Sequence, residues 1–319
     1  MTVPAYVVGI CMGFIYAAFL VCIIGTLAKL GRYIRAPTHL RWELYPVPHE
    51  KAYFAVRDEI PMLRGSFAQF YHGGLAEELK EMLPEMLFLV RVFRYRRRIW
   101  FFSLAMHDGI YLILAWFVLL LIDAITRLAG IPVYAFSPNP WGAFIAWLTI
   151  ITGIVGGFAI AVGTVGLFIF RLADRGMREY ATFREYFNLA FIFTVVITAL
   201  VAVCTYVWNY MCANGFTFKN LIDALFGNHQ GVFYEAMMQM LALITFDPSK
   251  LAGLTFVTSP LMLAHQILFC LFLLYYPFSK MVHGPAKYVS YHLVNWDDKP
   301  HQEGPLHYNY WGIIKIKER

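Results

Sequence analysis

Apolar residues run in five long blocks along the 319-residue chain, at about 4–28, 100–125, 142–170, 187–212 and 258–282, and the stretches between them carry nearly all the charge. Wound at 1.5 Å per residue, blocks of about 20 or more residues match the ~30 Å depth of a bilayer core. The pattern predicts an all-α, polytopic membrane bundle of five transmembrane helices forming a single domain. Segment 29–99 reads as a cytoplasmic loop containing RWELYPVPHE, the amphipathic stretch LAEELKEMLPEMLFLVRVF and the basic cluster RYRRR. That cluster either binds acidic lipid headgroups or stops the helix at the surface. Segment 213–259 reads as an outer segment, in which YEAMMQMLALITF predicts a helix lying on the membrane or packed over the bundle. Residues 284–319 form a polar tail, with WDDKP and HYNYWGIIKIKER, long enough to dock on a cytoplasmic partner.

Composition agrees: 60% of residues are hydrophobic, 14% are charged, and the mean hydropathy is +0.57. The first block is followed by Lys29, Arg32 and Arg35 and reads as a retained helix rather than a cleaved signal. The net charge of +6 is no sign of nucleic acid, because the cations are sorted by loop. All of the 26 Lys and Arg except Arg127, Lys219 and Lys250 fall in 29–98, 171–184 or 280–319. Positive-inside sorting then makes those stretches cytoplasmic and puts the amino terminus outside, in a multi-pass protein of the cytoplasmic membrane. The five cysteines, Cys11, Cys22, Cys204, Cys212 and Cys270, show no CxxC spacing. This argues against an iron–sulfur cluster or a covalently attached haem in the chain.

The candidate chemistry lies in histidines. His265 and His283 bracket HQILFCLFLLYYPFSKMVH, and their 18-residue separation is five turns of a regular helix, or ~27 Å. One helix is thereby expected to present an imidazole near each membrane surface. His107 lies in the inner half of the second block. Neutral imidazoles at matching depth on different helices are what a b-type haem needs. Otherwise, a histidine in a span hydrogen-bonds a neighbouring helix carbonyl.

The stretch HQILFCLFLLYYPFSKMVHGPAKYVSYHLVNWDDKP resembles the last span of the respiratory nitrate reductase gamma-subunit family, in which a His-x17-His helix ligates two b haems. RWELYPVPHE, FRYRRRIWFF…HDGIYLIL and YHLVNWDDKP are more narrowly similar to the DsrM family. Those are membrane cytochrome b subunits of DsrMKJOP complexes, or Hdr-like menaquinol oxidoreductases, of sulfate reduction. The resemblance covers spans one, two and five and leaves 213–259 uncovered. It implies an electron-transfer subunit that is not catalytic alone. It also implies a menaquinol donor, a DsrK-like cytoplasmic iron–sulfur acceptor, and partners like DsrJ, DsrO and DsrP.

Carried over by position, His107 and His283 hold an inner haem. His265 matches the outer ligand, but its expected partner position is Phe117, which cannot ligate. His229, in LFGNHQG, is the substitute on that side; otherwise His265 faces a quinone or is a plain hydrogen-bonded residue. Arg98, Arg171, Arg175 and Lys280 border the inner surface, where haem propionates need cations. Asp108, beside His107, belongs either to a proton or quinone pathway or to a hydrogen bond with a neighbouring helix. The glycines of GIVGGFAIAVGTVG either permit close helix approach or leave room for a flat porphyrin. The rival readings are the membrane anchor of another oxidoreductase, such as a nitrate or heterodisulfide reductase, and a non-redox membrane scaffold.

Overall fold

The computed structural model describes residues 5–35, 83–251, 254 and 259–291. RWELYPVPHE, most of 29–99, and the tail beyond 291 with WDDKP and HYNYWGIIKIKER lie outside the described residues. Apart from one isolated bridge between Gly227 and Gln230, the regular structure among the described residues is helical. Among the described residues, five helices are long and apolar enough to cross a membrane. They are α1 (Ala5–Arg35), α2 (Arg97–Leu128), α3 (Pro140–Ala173), α4 (Phe183–Asn214) and, after the shorter helices α5 (Phe218–Phe226) and α6 (Val232–Thr245), α7 (Pro260–Tyr275), whose span runs on through a 3-10 turn to Phe278. A short helix, α8 (His283–Tyr291), follows.

Local chemistry sets the ends. Asn139 caps α3 by accepting from the amides of Trp141 and Gly142, with Pro140 in the first turn, where a missing N–H costs nothing. Thr182 and Glu185 form a capping box that starts α4. Gly215, at φ +96, ends it in a conformation glycine adopts without a side-chain clash. At their arginine-bearing ends α2 to α4 run past the apolar blocks, so Arg97, Arg98 and Arg171 are helical residues rather than loop residues.

The chain divides into two units, 1–20 with 91–274 and 21–90 with 275–319. In the first, α2 and α3 pack antiparallel along a glycine seam. A Cβ added to Gly163 would lie 2.4 Å from the Met106 backbone nitrogen, and one on Gly166 would lie 1.9 Å from the Phe102 ring. On the α2 side, a Cβ on Gly109 would lie 2.7 Å from the Ile160 amide. Gly153 and Gly156 meet Trp116 and Leu112, and Gly157 faces Leu200 of α4. These glycines serve close helix approach; neighbouring helices fill the space a porphyrin would need there.

The outer segment packs over the bundle. Ile222 and Phe226 of α5 and Phe233, Met237 and Leu241 of α6 join Leu120, Ala124, Ile145 and Ile150 in one core. Phe226 and Met237 are fully buried, a gain of roughly 1.5–3 kcal/mol each relative to exposure. Val8 and Met12 of α1 pack on Ala242 and Leu251, and the Tyr16 hydroxyl donates to the Leu243 carbonyl at 2.6 Å. Deeper, Ile15 and Ala18 meet Cys270 of α7.

The second unit corrects the expectation of one unbroken helix over 258–282. The α-helix stops at Tyr275 and gives way to 3-10 turns at Tyr276–Phe278 and Lys280–Val282, with Ser279 extended between them at φ −90° and ψ 173°. Pro277 is the cause: it has no N–H for the helix ladder, and its ring excludes the carbonyl one turn back. Lys29 caps the break, donating to the carbonyls of Pro277 at 3.2 Å and Ser279 at 2.7 Å. Gly25 lets α1 approach, since a Cβ there would lie 2.8 Å from Pro277. The five-turn count that put His265 and His283 on one helical face therefore stops at the break.

Candidate functional site

Three histidines share one local arrangement. On α2, His107 Nδ1 donates to the Ser103 carbonyl, one turn back, at 2.6 Å. On α7, His265 Nδ1 donates to the Val195 carbonyl of α4 at 3.1 Å and lies 3.3 Å from the Thr198 hydroxyl. At the start of α8, the exposed His283 Nδ1 donates to the Lys280 carbonyl at 3.1 Å. A carbonyl only accepts, so in each case Nδ1 carries a proton, and in the neutral ring the lone pair is on Nε2. Iron-ligating histidines have this tautomer, with the ring oriented by its second nitrogen. His265 Nε2 makes no hydrogen bond among the described residues.

The remaining candidates are placed differently. The Phe117 ring stacks on Phe269 at 5.5 Å and 18°, and Phe269 stacks on His265 at 6.4 Å. An aromatic column thus occupies the side from which a second outer ligand would come. His229 is exposed in a left-handed turn, with φ 57°, and its Nδ1 contacts the Tyr234 hydroxyl at 3.1 Å and the Arg127 guanidinium at 3.2 Å. None of its bonded partners is shared with His265. Against the residues that are present, an axial imidazole fits at His107, His265 and His283, whereas a bis-histidine outer haem does not fit at His265 and Phe117.

Among the cations, Arg98 and Lys280 are exposed, one at the start of α2 and the other at the start of the 3-10 turn Lys280–Val282. Arg171 is half-buried, and its Nε has no hydrogen-bond partner among the described residues. Asp108 Oδ1 is likewise buried and unpartnered. The structure adds a pair that histidine-led reading passes over, Asp123 and Thr149. Both are fully buried, and the Thr149 hydroxyl donates to Asp123 Oδ2 at 2.7 Å. An acid inside LLLIDAIT carries the same sequence signal as Asp108 inside its own apolar window. An open apolar groove of about 400 Å³, lined by Phe102, Val165, Gly166, Phe170 and Phe193, runs along the inner half of the same bundle. Among the described residues no three His, Cys, Asp or Glu side chains gather to hold a metal ion.

No family model matches the chain, and no curated protein matches it.

Proposed function

We propose that this chain is a haem b membrane subunit that carries electrons between menaquinol and a cytoplasmic iron–sulfur subunit in a respiratory complex of sulfur metabolism. The observation that carries the reading is the shared set-up of His107, His265 and His283, each donating Nδ1–H to a backbone carbonyl. Bound haem supplies one-electron chemistry that no side chain here provides. His107 and His283 would hold the haem iron, and Arg98, Arg171 and Lys280 would supply cations for its propionates. The aromatic column at Phe117 supports a single haem, leaving His265 to orient a menaquinol headgroup in the outer half. Asp108, whose buried Oδ1 has no hydrogen-bond partner among the described residues, belongs to a proton or quinone pathway. The iron–sulfur partner is DsrK-like, with DsrJ-, DsrO- and DsrP-like subunits completing the complex.

The test is a reduced-minus-oxidised visible spectrum of the purified chain with haem quantified. A b-type band at one haem per chain is expected, and it should be lost in both His107→Ala and His283→Ala. Haem content unchanged in both variants refutes the ligand pair. Two haems per chain refute the single-site assignment. Absence of any b-type band leaves the non-redox scaffold, which the close-packed glycine seam would suit. A nitrate- or heterodisulfide-reductase anchor is distinguished by which iron–sulfur chain co-purifies.

A further inference from the structure

We propose that Asp123 is a proton relay on the outer side of the bundle, taking protons from a membrane hydroquinone and passing them to the outer water. The proposal rests on the quinol-oxidising reading above.

Asp123 is 0% exposed, and among the described residues its one hydrogen bond is from Thr149, itself 0% exposed. Oδ1 is buried with no partner among the described residues, so half of the carboxyl's acceptor capacity is unused by the fold. A buried carboxyl with one hydroxyl contact and no cation is costly to keep for packing alone. No titratable group on the surrounding elements bonds to it. Those groups are Lys219 and Asp223 on α5, Tyr234 and Glu235 on α6, Arg171 on α3, Tyr134 in the α2–α3 connection, Arg184, Glu185, Tyr186, Cys204, Tyr206, Tyr210 and Cys212 on α4, and Arg97, Arg98, His107, Asp108, Tyr111 and Arg127 on α2 itself.

Its position is that of an exit. Two turns inward, about 10 Å along α2, the Trp116 indole N–H is also buried and unpartnered. The next residue, Phe117, stands in the column that ends on His265. One turn outward on the same helical face is Arg127, which reaches the exposed His229. Asp123 therefore lies between the outer-half aromatic column and the outer surface.

Hydroquinone oxidation releases two electrons and two protons. The electrons leave one at a time for the iron–sulfur partner. With each, an O–H bond of the hydroquinone breaks and an O–H bond forms at Asp123 Oδ1; that bond breaks toward the outer water before the next step.

The full chain in detergent is reduced with menadiol across a range of pH, following the b-type band, and separately with dithionite. Asp123→Asn is expected to slow menadiol reduction by about a hundredfold, leaving the dithionite-reducible haem unchanged, with Asp123→Glu restoring most of the rate. The redox-induced infrared difference spectrum of the native chain should contain a carboxylic C=O band that Asp123→Asn lacks. Unchanged menadiol kinetics and pH profile in Asp123→Asn, or an unchanged infrared band, overturn the relay. Should Asp123→Asn fail to fold, Thr149→Val takes its place: a displaced pH profile supports the relay and an unaltered one overturns it. A native chain with no b-type band removes the electron acceptor, and both readings fall together; a normal band with indifferent variants removes the relay alone.

Discussion

Replacing Gly163 with alanine places a methyl group where its carbon would lie 2.4 Å from the Met106 amide nitrogen and 2.7 Å from Met106 Cα. Both are backbone atoms of α2, so no rotamer change relieves the clash and the two helices must separate. Gly13 of α1 is the control, because a Cβ there meets nothing within 4 Å. Both variants gain about 1 kcal/mol of helix propensity, so the difference between them isolates the clash. Overpacking of this kind costs about 1–3 kcal/mol, and each kcal/mol moves a melting temperature by roughly 2–4 °C in a large domain. Gly163→Ala should therefore melt several degrees below Gly13→Ala in detergent, followed by tryptophan fluorescence. Equal or higher melting of Gly163→Ala would refute the close-contact reading of the seam. A fall in haem content at unchanged melting would show that the glycine face holds a cofactor after all.

Lys29→Met leaves the Pro277 and Ser279 carbonyls without their charged donor. A loss of about 1 kcal/mol is expected, below the 1.5–3 kcal/mol of a buried charged hydrogen bond because the site is only part-buried, and it should appear as faster amide exchange in 276–282. Outside the membrane, hydrogen bonds from Lys250 and Ser249 hold the Asp247 carboxyl down to about 2, from an ordinary 3.8. A depressed folded value means that its contribution is present above pH 3.8 and is lost as pH falls from 3.8 through 2. Amide exchange at 247–251 should accelerate over that window in the native chain and not in Asp247→Asn.

Much of the architecture was legible because span length is a direct consequence of bilayer thickness. The five blocks mark helices whose ends differ from expectation by a few residues, since α2 to α4 continue through arginines that hydropathy counts as loop. The last span departs most. Its apolar run continues through YYPFSKMV, and hydropathy is blind to the amide that Pro277 lacks. The glycines were visible as small residues, but only the α2–α3 register decides that methyl-sized gaps at 163 and 166 are filled by Met106 and Phe102. For segment 213–259, length indicated a helix and left its resting place open; burial of Phe233 and Met237 against α2 and α3 decides it. Among the site residues, the histidine positions were plain from sequence. Their carbonyl partners were not, because Val195 is 70 residues from His265 in the chain.

The interruption at Pro277 also divides the work of aiming two imidazoles. The direction of His265 is indexed to α7 and its contact with Val195, while that of His283 is indexed to the Lys280–Val282 turn and the lysine that braces it from α1. A one-residue insertion between 266 and 275 would, in an unbroken rod, swing one ring by a hundred degrees relative to the other. Here the α-helical ladder ends at Tyr275, so the rotation of α7 sets the direction of His265 and the local turn at Lys280–Val282 sets that of His283.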